Sequence, residues 1–253
     1  MAPENVMELG VDYKEFTEAS YRRLLRIARE NYHFTFFDQT DLDEPFVLWR
    51  HDVDLLIHRA LRLAEIEKEE AVSSTFFLLL HGHYYNLFER EVYDRVQKIL
   101  SFGHRLGLHF DFNFYDNLND FSFEEKLQFE KTTLENLFGA EVSAVSYHNP
   151  SPDLLKSRAD LRVGGLFNAY AKEISDKCDY ASDSNGYWRF RSIEEALLHP
   201  KKRNIQVLTH PEWWTADALS PRERVSRCID GRANFIHQRY DKMIENHGRK
   251  NIR

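Results

Sequence analysis

The 253-residue sequence has only two cysteines, Cys178 and Cys228, and no long run of apolar residues. Two isolated cysteines cannot build a disulfide framework or a zinc ribbon, so we expect reduced thiols and a cytoplasmic protein. The missing apolar run argues against a membrane-spanning helix, which needs about 20 such residues. The first ten residues, MAPENVMELG, lack the basic and apolar regions of a secretory signal, so we expect no secretion by a standard signal.

The sequence also has fewer basic than acidic residues. It contains 34 Lys and Arg and 41 Asp and Glu, which gives a net charge of -7. This balance argues against a protein that coats nucleic acid. No segment rich in proline, glycine or serine divides the chain, and 42% of the residues are hydrophobic. We therefore expect a single domain over residues 1–253, with the functional motifs in a core at 45–214.

Apolar runs alternate with amphipathic segments along the chain. Such alternation is typical of βαβ units and a parallel sheet. The predicted strands, seven in all, cover residues 34–37, 46–54, 73–80, 105–112, 142–148, 165–170 and 204–209.

An extra helix is predicted at each end of this series. The first covers residues 21–32. The last begins after Ser220, with Pro221 at its first position and Glu223 placed for a capping box. We expect its apolar residues to lie against the sheet; they are Val225, Cys228, Ile229, Ile236 and Tyr240.

Two carboxylates end the run that reads PFVLWRHDVD. Residues two apart on a strand share a face, so Asp52 and Asp54 point the same way. Like charges this close favour acid-base or metal chemistry. The alternative is a solvated acidic turn that caps the helix beginning near Ile57.

Other predicted strands also end in polar side chains with catalytic or metal-binding chemistry. In parallel α/β folds the carboxyl ends of the strands meet on one face, where sites are built. A lone histidine beside a strand is usually a satisfied core residue, but successive strand ends that all carry such groups indicate a site. The residues concerned are His81, His83, His109, Asp111, His148, His210 and Glu212.

Five segments resemble, in order, the motifs of the polysaccharide deacetylases, which form carbohydrate esterase family four and carry the NodB-homology domain. They read RHDVD, LGLHFD, SYHNP, ASDSNGYW and VLTHPEWW. The likeness is greatest to a divergent branch associated with surface-polysaccharide and O-antigen biosynthesis, in which RHDVD replaces TFDDG. The resemblance implies a distorted (β/α) barrel of about seven parallel strands that removes acetyl groups from sugars.

The resemblance also implies roles for individual residues. Asp52 matches the catalytic base, and His210 matches the residue that protonates the leaving group. His109 matches the first metal-binding histidine. The chain departs from the family where Val53 replaces the ligating aspartate and Asn113 replaces the second ligating histidine.

His148 marks a third departure, since it occupies the position of the arginine that orients the base. A zinc site needs about three ligands from His, Asp or Glu. We expect Asp54, His109 and His148 to supply them, with Asp111, His81 and Asn113 as substitutes. The predicted cofactor is a divalent metal, zinc, because imidazole combined with carboxylate suits that ion.

Aromatic residues near these strand ends suit the faces of sugar rings. We expect Trp188, Trp213, Asp183 and His81 to contact the substrate, an acetylated sugar or polysaccharide precursor. The alternative for the tryptophans is packing beneath a loop. Two further functions remain open: a catalytically inactive sugar-binding protein, and an amide hydrolase of the same fold that uses no metal.

Overall fold

A computed structural model describes residues 13–115 and 122–252 of the chain. The expectation about a secretory signal concerns residues 1–10, which lie outside the described residues. Within them, one sheet holds nine strands. The strands are β1 (His33–Thr35), β2 (Phe46–Val53), β3 (Thr75–Leu79), β4 (Arg105–Phe110), β5 (Val142–Tyr147), β6 (Arg162–Val163), β7 (Leu166–Asn168), β8 (Cys178–Ser182) and β9 (Asn204–Thr209).

The sheet is a curled half-barrel of mostly parallel strands. Its order is β6-β7-β5-β4-β3-β2-β9-β8, and β1 adds to β2. Every pair is parallel except β6 with β7. The predicted α/β class and distorted (β/α) barrel are therefore confirmed.

Helices connect the strands and cover the outer face of the sheet. Among the described residues, each helix is either too short or too polar to cross a membrane. They are α1 (Glu18–Asn31), α2 (Ile57–Glu69), α3 (Arg90–Ser101), α4 (Phe112–Tyr115), α5 (Phe123–Phe138), α6 (Pro152–Ser157), α7 (Lys172–Lys177), α8 (Ile193–Leu198) and α9 (Pro221–Asn246).

Strand β2 runs through the middle of the sheet, and all eight of its residues are buried. Alternate side chains enter different cores, as a strand requires. Val47 and Trp49 pack outward against a cluster that includes residues of α1, whereas Phe46 and Leu48 pack in a separate cluster with Phe77 of β3. The carboxyl end of β2 therefore has one face inside the half-barrel and the other face beneath the helices.

Two short strands were not predicted. Strand β8 extends the sheet beyond β9, and β6 forms a hairpin with β7 through Gly164 and Gly165. The sequence of β8, CDYAS, contains no β-branched residue and is interrupted by Asp179, so it does not signal a strand, and its pairing with β9 creates it.

The predicted start of the last helix is confirmed. Ser220 and Glu223 form a complete capping box, with Pro221 in the first turn. The predicted burial of its apolar face holds for Cys228, which is 3% exposed. It is wrong for three residues that are about half exposed, Ile229, Ile236 and Tyr240.

Candidate active site

The carboxyl ends of β2, β4 and β9 bring four of the predicted site residues together. Asp52 is the penultimate residue of β2, on its inner face, and Asp54 follows two residues later. His109 lies on β4 and His210 directly after β9. The strands are neighbours in the order β4-β3-β2-β9. Because all of them are parallel, these side chains reach the same rim of the half-barrel.

Asp54 lies between two imidazoles. Its Oδ1 is 3.1 Å from Nε2 of His109, and its Oδ2 is 3.9 Å from Nε2 of His210. Its side chain is 21% exposed, against 2% for Asp52, so Asp54 is the carboxylate that faces solvent. Burial acts to raise the pKa of Asp54, but the two histidines outweigh burial and lower this pKa far below its ordinary value. Asp54 is therefore ionised at neutral pH.

His210 is held from behind by Asp183. Nδ1 of His210 lies 2.7 Å from Oδ1 of Asp183, and the backbone N–H of His210 donates to Oδ2 at 2.7 Å. Burial acts against protonation of the ring, but the Asp183 carboxylate prevails and raises the pKa of His210 to about 10. At neutral pH His210 is therefore a cation with its Nε2–H directed towards the Asp54 side of the site.

Asp183 was predicted to contact the substrate. The structure buries its side chain completely, with Nε1 of Trp214 donating to Oδ2 at 2.9 Å. Asp183 belongs to the segment ASDSNGYW, and His210 belongs to VLTHPEWW. The two segments act together because the Asp183 carboxylate fixes both the ring and the backbone of His210. Asp183 acts on His210 rather than at the opening of the site.

A serine that the sequence analysis did not single out links His109 to Asp52. The Oγ of Ser146, on β5, is 2.6 Å from Nδ1 of His109 and donates to Oδ1 of Asp52 at 3.2 Å. Because the Ser146 proton goes to the carboxylate, Nδ1 of His109 must carry a proton of its own. The signal in the sequence was the spacing of SYHNP, which places Ser146 two residues before His148.

Arg50 lies below Asp52 inside the half-barrel. Its Nη2 is 3.6 Å from Oδ2 of Asp52, and its guanidinium carbon is 4.6 Å from the centre of the Tyr170 ring. Burial acts to lower the pKa of Arg50, but Asp52 raises it above its ordinary value, so the guanidinium stays charged. The buried Asp52 carboxylate thus has a buried cation beside it, which reduces the cost of burying either charge alone.

Glu212 was predicted to lie at a strand end, and no role was assigned to it. Its side chain is 3% exposed, and Oε2 has no hydrogen-bond partner among the described residues. Burial, with the negative charge of Asp54, raises the pKa of Glu212 well above its ordinary value. The environment of Glu212 thus favours its neutral form over the carboxylate.

The predicted zinc ligands do not converge as a set of three. Asp54 and His109 are in contact, but Nδ1 of His148 lies 3.3 Å from Oδ2 of Asp111. The substitute Asn113 also donates its amide to Asp111, at 3.2 Å. Across residues 13–115 and 122–252, no three His, Cys, Asp or Glu side chains lie close enough to hold a metal. The arrangement therefore supplies two ligands and does not fit a three-ligand zinc site.

The other predicted sugar-binding side chains contact protein neighbours. His81 contacts Glu130 of α5 at 3.0 Å and stacks on Phe114 at 3.5 Å. Trp188 packs 4.4 Å from Phe16, measured between ring centres. Trp213 is 8% exposed and donates Nε1 to a backbone carbonyl. Both tryptophans have packing contacts, as in the alternative interpretation, and their contact with a substrate stays a prediction.

The chemical capacity of the site follows from its charges. Asp54 is an ionised carboxylate and His210 a protonated imidazole, and 3.9 Å separates their nearest atoms. A carboxylate accepts a proton and an imidazolium donates one, so the pair can serve as general base and general acid for one substrate.

Comparisons with known proteins give distant structural likenesses. No sequence-family profile matches the chain, and no curated protein matches it. A CE4 family pseudoenzyme from Bacillus anthracis is 16% identical, with a TM-score of 0.41 over 76% of this chain. The chain covers only 62% of that protein.

Two further solved structures are similar. A family 4 carbohydrate esterase from Bacillus anthracis is 18% identical, with a TM-score of 0.40 over 83% of this chain and 84% of that one. A chitin deacetylase from the fungal pathogen Colletotrichum lindemuthianum is 14% identical, with a TM-score of 0.33 over 75% and 84%. At TM-scores below 0.5, no residue role or activity is transferred from these proteins.

Proposed function

We propose that the chain is a hydrolase that removes the acetyl group from an acetamido sugar, a precursor of a surface polysaccharide or O-antigen, in the cytoplasm. The observation that carries the reaction is the ionised Asp54 opposite the protonated His210 at the rim of the half-barrel. The substrate class rests on the motifs RHDVD to VLTHPEWW and their resemblance to deacetylases.

Water is the second reactant. Asp54 accepts a proton from it while its oxygen attacks the acetyl carbonyl carbon, which gives a tetrahedral intermediate. His210 then donates its Nε2 proton to the sugar nitrogen as the C–N bond breaks. The products are acetic acid, which loses its proton to solvent as acetate, and the free amino sugar. Asp54 then passes its proton to His210, which restores both groups for the next turnover. The Asp183 carboxylate stabilises the imidazolium before transfer and keeps Nε2 directed at the substrate.

Exposure decides which carboxylate is the base in this scheme. The resemblance assigns that role to Asp52, which is 2% exposed and engaged with Ser146 and Arg50. A base must reach the proton it removes, directly or through one water molecule. Asp54 meets this condition, and Asp52 holds His109 in place through Ser146.

A metal-dependent form of the same reaction is the second candidate. In that form Asp54, His109 and His148 hold zinc and Asp52 is the base. Two buried atoms favour it. Oδ1 of Asp54 faces Nε2 of His109 and Nδ1 of His148 faces Oδ2 of Asp111, but among the described residues neither contact has the geometry of a hydrogen bond. A buried polar atom without a partner is costly, and a bound cation would relieve both.

Acetate release from N-acetylglucosamine and its oligomers tests the proposal. The protein is purified without chelator, and its metal content is measured by inductively coupled plasma mass spectrometry. Acetate release that survives chelation supports the metal-free reaction with Asp54 as base. Release that needs stoichiometric zinc supports the metal-dependent form. Binding of the sugars without acetate release, with or without zinc, would identify an inactive sugar-binding protein.

A further inference from the structure

The outer faces of β2 and β9 carry a second, fully buried polar group behind the site. His51 immediately precedes Asp52 on β2, and Thr209 immediately precedes His210 on β9. These two residues are the last register pair of the β2–β9 ladder. Nδ1 of His51 lies 2.8 Å from the Oγ1 of Thr209. The side chains therefore join the two strands at the point where both enter the site.

Glu67 of α2 holds His51 from the other side. Its Oε1 is 2.7 Å from Nε2 of His51 and also accepts from the hydroxyl of Tyr21. Its Oε2 accepts from the Oγ of Ser74 at 2.6 Å. Burial acts to raise the pKa of Glu67, but His51 prevails and holds this pKa below its ordinary value. An ionised carboxylate thus sits beneath the strands.

Burying the polar network of Glu67, His51 and Thr209 costs solvation free energy, so efficient packing alone does not explain its presence. Glu67, His51 and Thr209 are each 0% exposed. Apolar residues of similar volume in place of a buried charged network are often neutral or stabilising. What directional hydrogen bonds add is a fixed position for the groups they join. The groups fixed here are the neighbours of Asp52 and His210.

We propose that Glu67, acting through His51 and Thr209, is a positioning residue that sets the separation of the carboxyl ends of β2 and β9, and with it the placement of Asp54 opposite His210. This role rests on the proposed hydrolase function. None of the three side chains touches the substrate. A displacement of about 1 Å between reacting groups costs on the order of a hundredfold in rate, so a small loosening here is measurable.

Thr209 allows the sharpest test. Thr209→Val removes the hydroxyl and keeps the shape and the preference for a strand. Thr209→Ser keeps the hydroxyl. Thr35→Val is the matched control, because Thr35 is a buried threonine of β1 that pairs with Leu48, away from the site, and its hydroxyl donates to the backbone carbonyl of Gln39. We expect Thr209→Val to lower the melting temperature modestly, because Nδ1 of His51 loses its partner, and to lower kcat about tenfold with KM unchanged at a temperature where the variant is fully folded. The other two variants should retain activity.

Crystal structures of the wild type and Thr209→Val provide a readout that needs no activity. We expect the distance from Oδ2 of Asp54 to Nε2 of His210 to change by roughly 0.5 Å in the variant and to stay constant in Thr35→Val. An unchanged distance with unchanged kcat overturns the positioning role. A fall in kcat that is fully accounted for by unfolded protein at the assay temperature, with the distance unchanged, overturns it too. An inactive wild type defeats the hydrolase proposal, and the distance then decides the positioning role alone.

Discussion

Asp183 binds His210 through both of its carboxylate oxygens, one to the ring Nδ1 and one to the backbone N–H, each at 2.7 Å. The two contacts fix the ring orientation and its charge together. Asp183 is fully buried, so its carboxylate interacts with His210 with little screening by solvent. His210 is therefore already protonated before the proposed reaction begins.

Asp183→Asn should lower kcat by at least about a hundredfold, because the amide neither stabilises the imidazolium nor selects its tautomer. The pH profile separates this effect from misfolding. In the wild type the acid stays protonated until the pH approaches 10, the raised pKa of His210. Without the Asp183 charge that pKa falls, so the alkaline limb of kcat should move to lower pH. An alkaline limb that stays in place would contradict the role of Asp183.

Asp54→Asn should reduce acetate release by at least about a hundredfold, since the amide keeps the shape but accepts no proton. Asp153→Asn is the matched control, because the Asp153 side chain is 96% exposed in a surface helix. Asp52→Asn distinguishes the two candidate schemes. If it abolishes turnover with zinc still bound while Asp54→Asn loses zinc, Asp52 is the base and the metal-dependent form is correct.

His109→Ala tests the metal directly. In the metal-free scheme the variant and the wild type both contain substoichiometric zinc after purification without chelator, and added zinc leaves acetate release unchanged. Two ligands hold zinc weakly, which is the reason for this expectation. Stoichiometric zinc in the wild type that is lost in His109→Ala would show that a third ligand joins Asp54 and His109, and His148→Ala would then identify it.

The strand ends were predictable because an apolar run bounded by polar residues marks where a buried strand stops. β9 was predicted with its observed bounds, and the common face of Asp52 and Asp54 followed from the period of a strand. The convergence of these residues with His109 and His210 followed from the parallel order. This part of the site depends only on local periodicity and chain direction.

Side-chain direction beyond the strands was not predictable. His148 turns to Asp111, and Trp213 packs beneath a loop, because tertiary neighbours rather than spacing decide both orientations. The periodicity of α9 likewise shows which residues share a face, but not whether another element covers it. Ile236 is consequently 52% exposed, although its spacing is that of a buried residue.

Gly107 of β4 should tolerate no side chain. A Cβ at this position would lie 2.3 Å from the Phe77 ring on the neighbouring strand. Gly107→Ala must displace a fully buried aromatic ring, and we expect it to lower the free energy of unfolding by about 1–3 kcal/mol. Urea denaturation measures the change. Gly139→Ala is not a fair control, because Gly139 has a positive φ, so Gly231→Ala in α9, with nothing near its Cβ, serves instead.

Glu70 should contribute stability that depends on pH. Arg26 binds its carboxylate through Nε and Nη2, Arg22 adds a contact at 2.8 Å, and together they lower the pKa of Glu70 to about 2. A folded-state pKa below the unfolded one gives stability that is present above about pH 4.5 and lost as the pH falls towards 2. Glu70→Gln should therefore lower the free energy of unfolding by about 1 kcal/mol at pH 7 and by almost nothing near pH 2.

Glu173→Gln is the control. The Glu173 side chain is 48% exposed and pairs with Lys177, so this substitution should change stability little at either pH. Chemical denaturation across this range decides the matter, and a deficit in Glu70→Gln that persists at pH 2 would show that the side chain contributes through packing rather than charge.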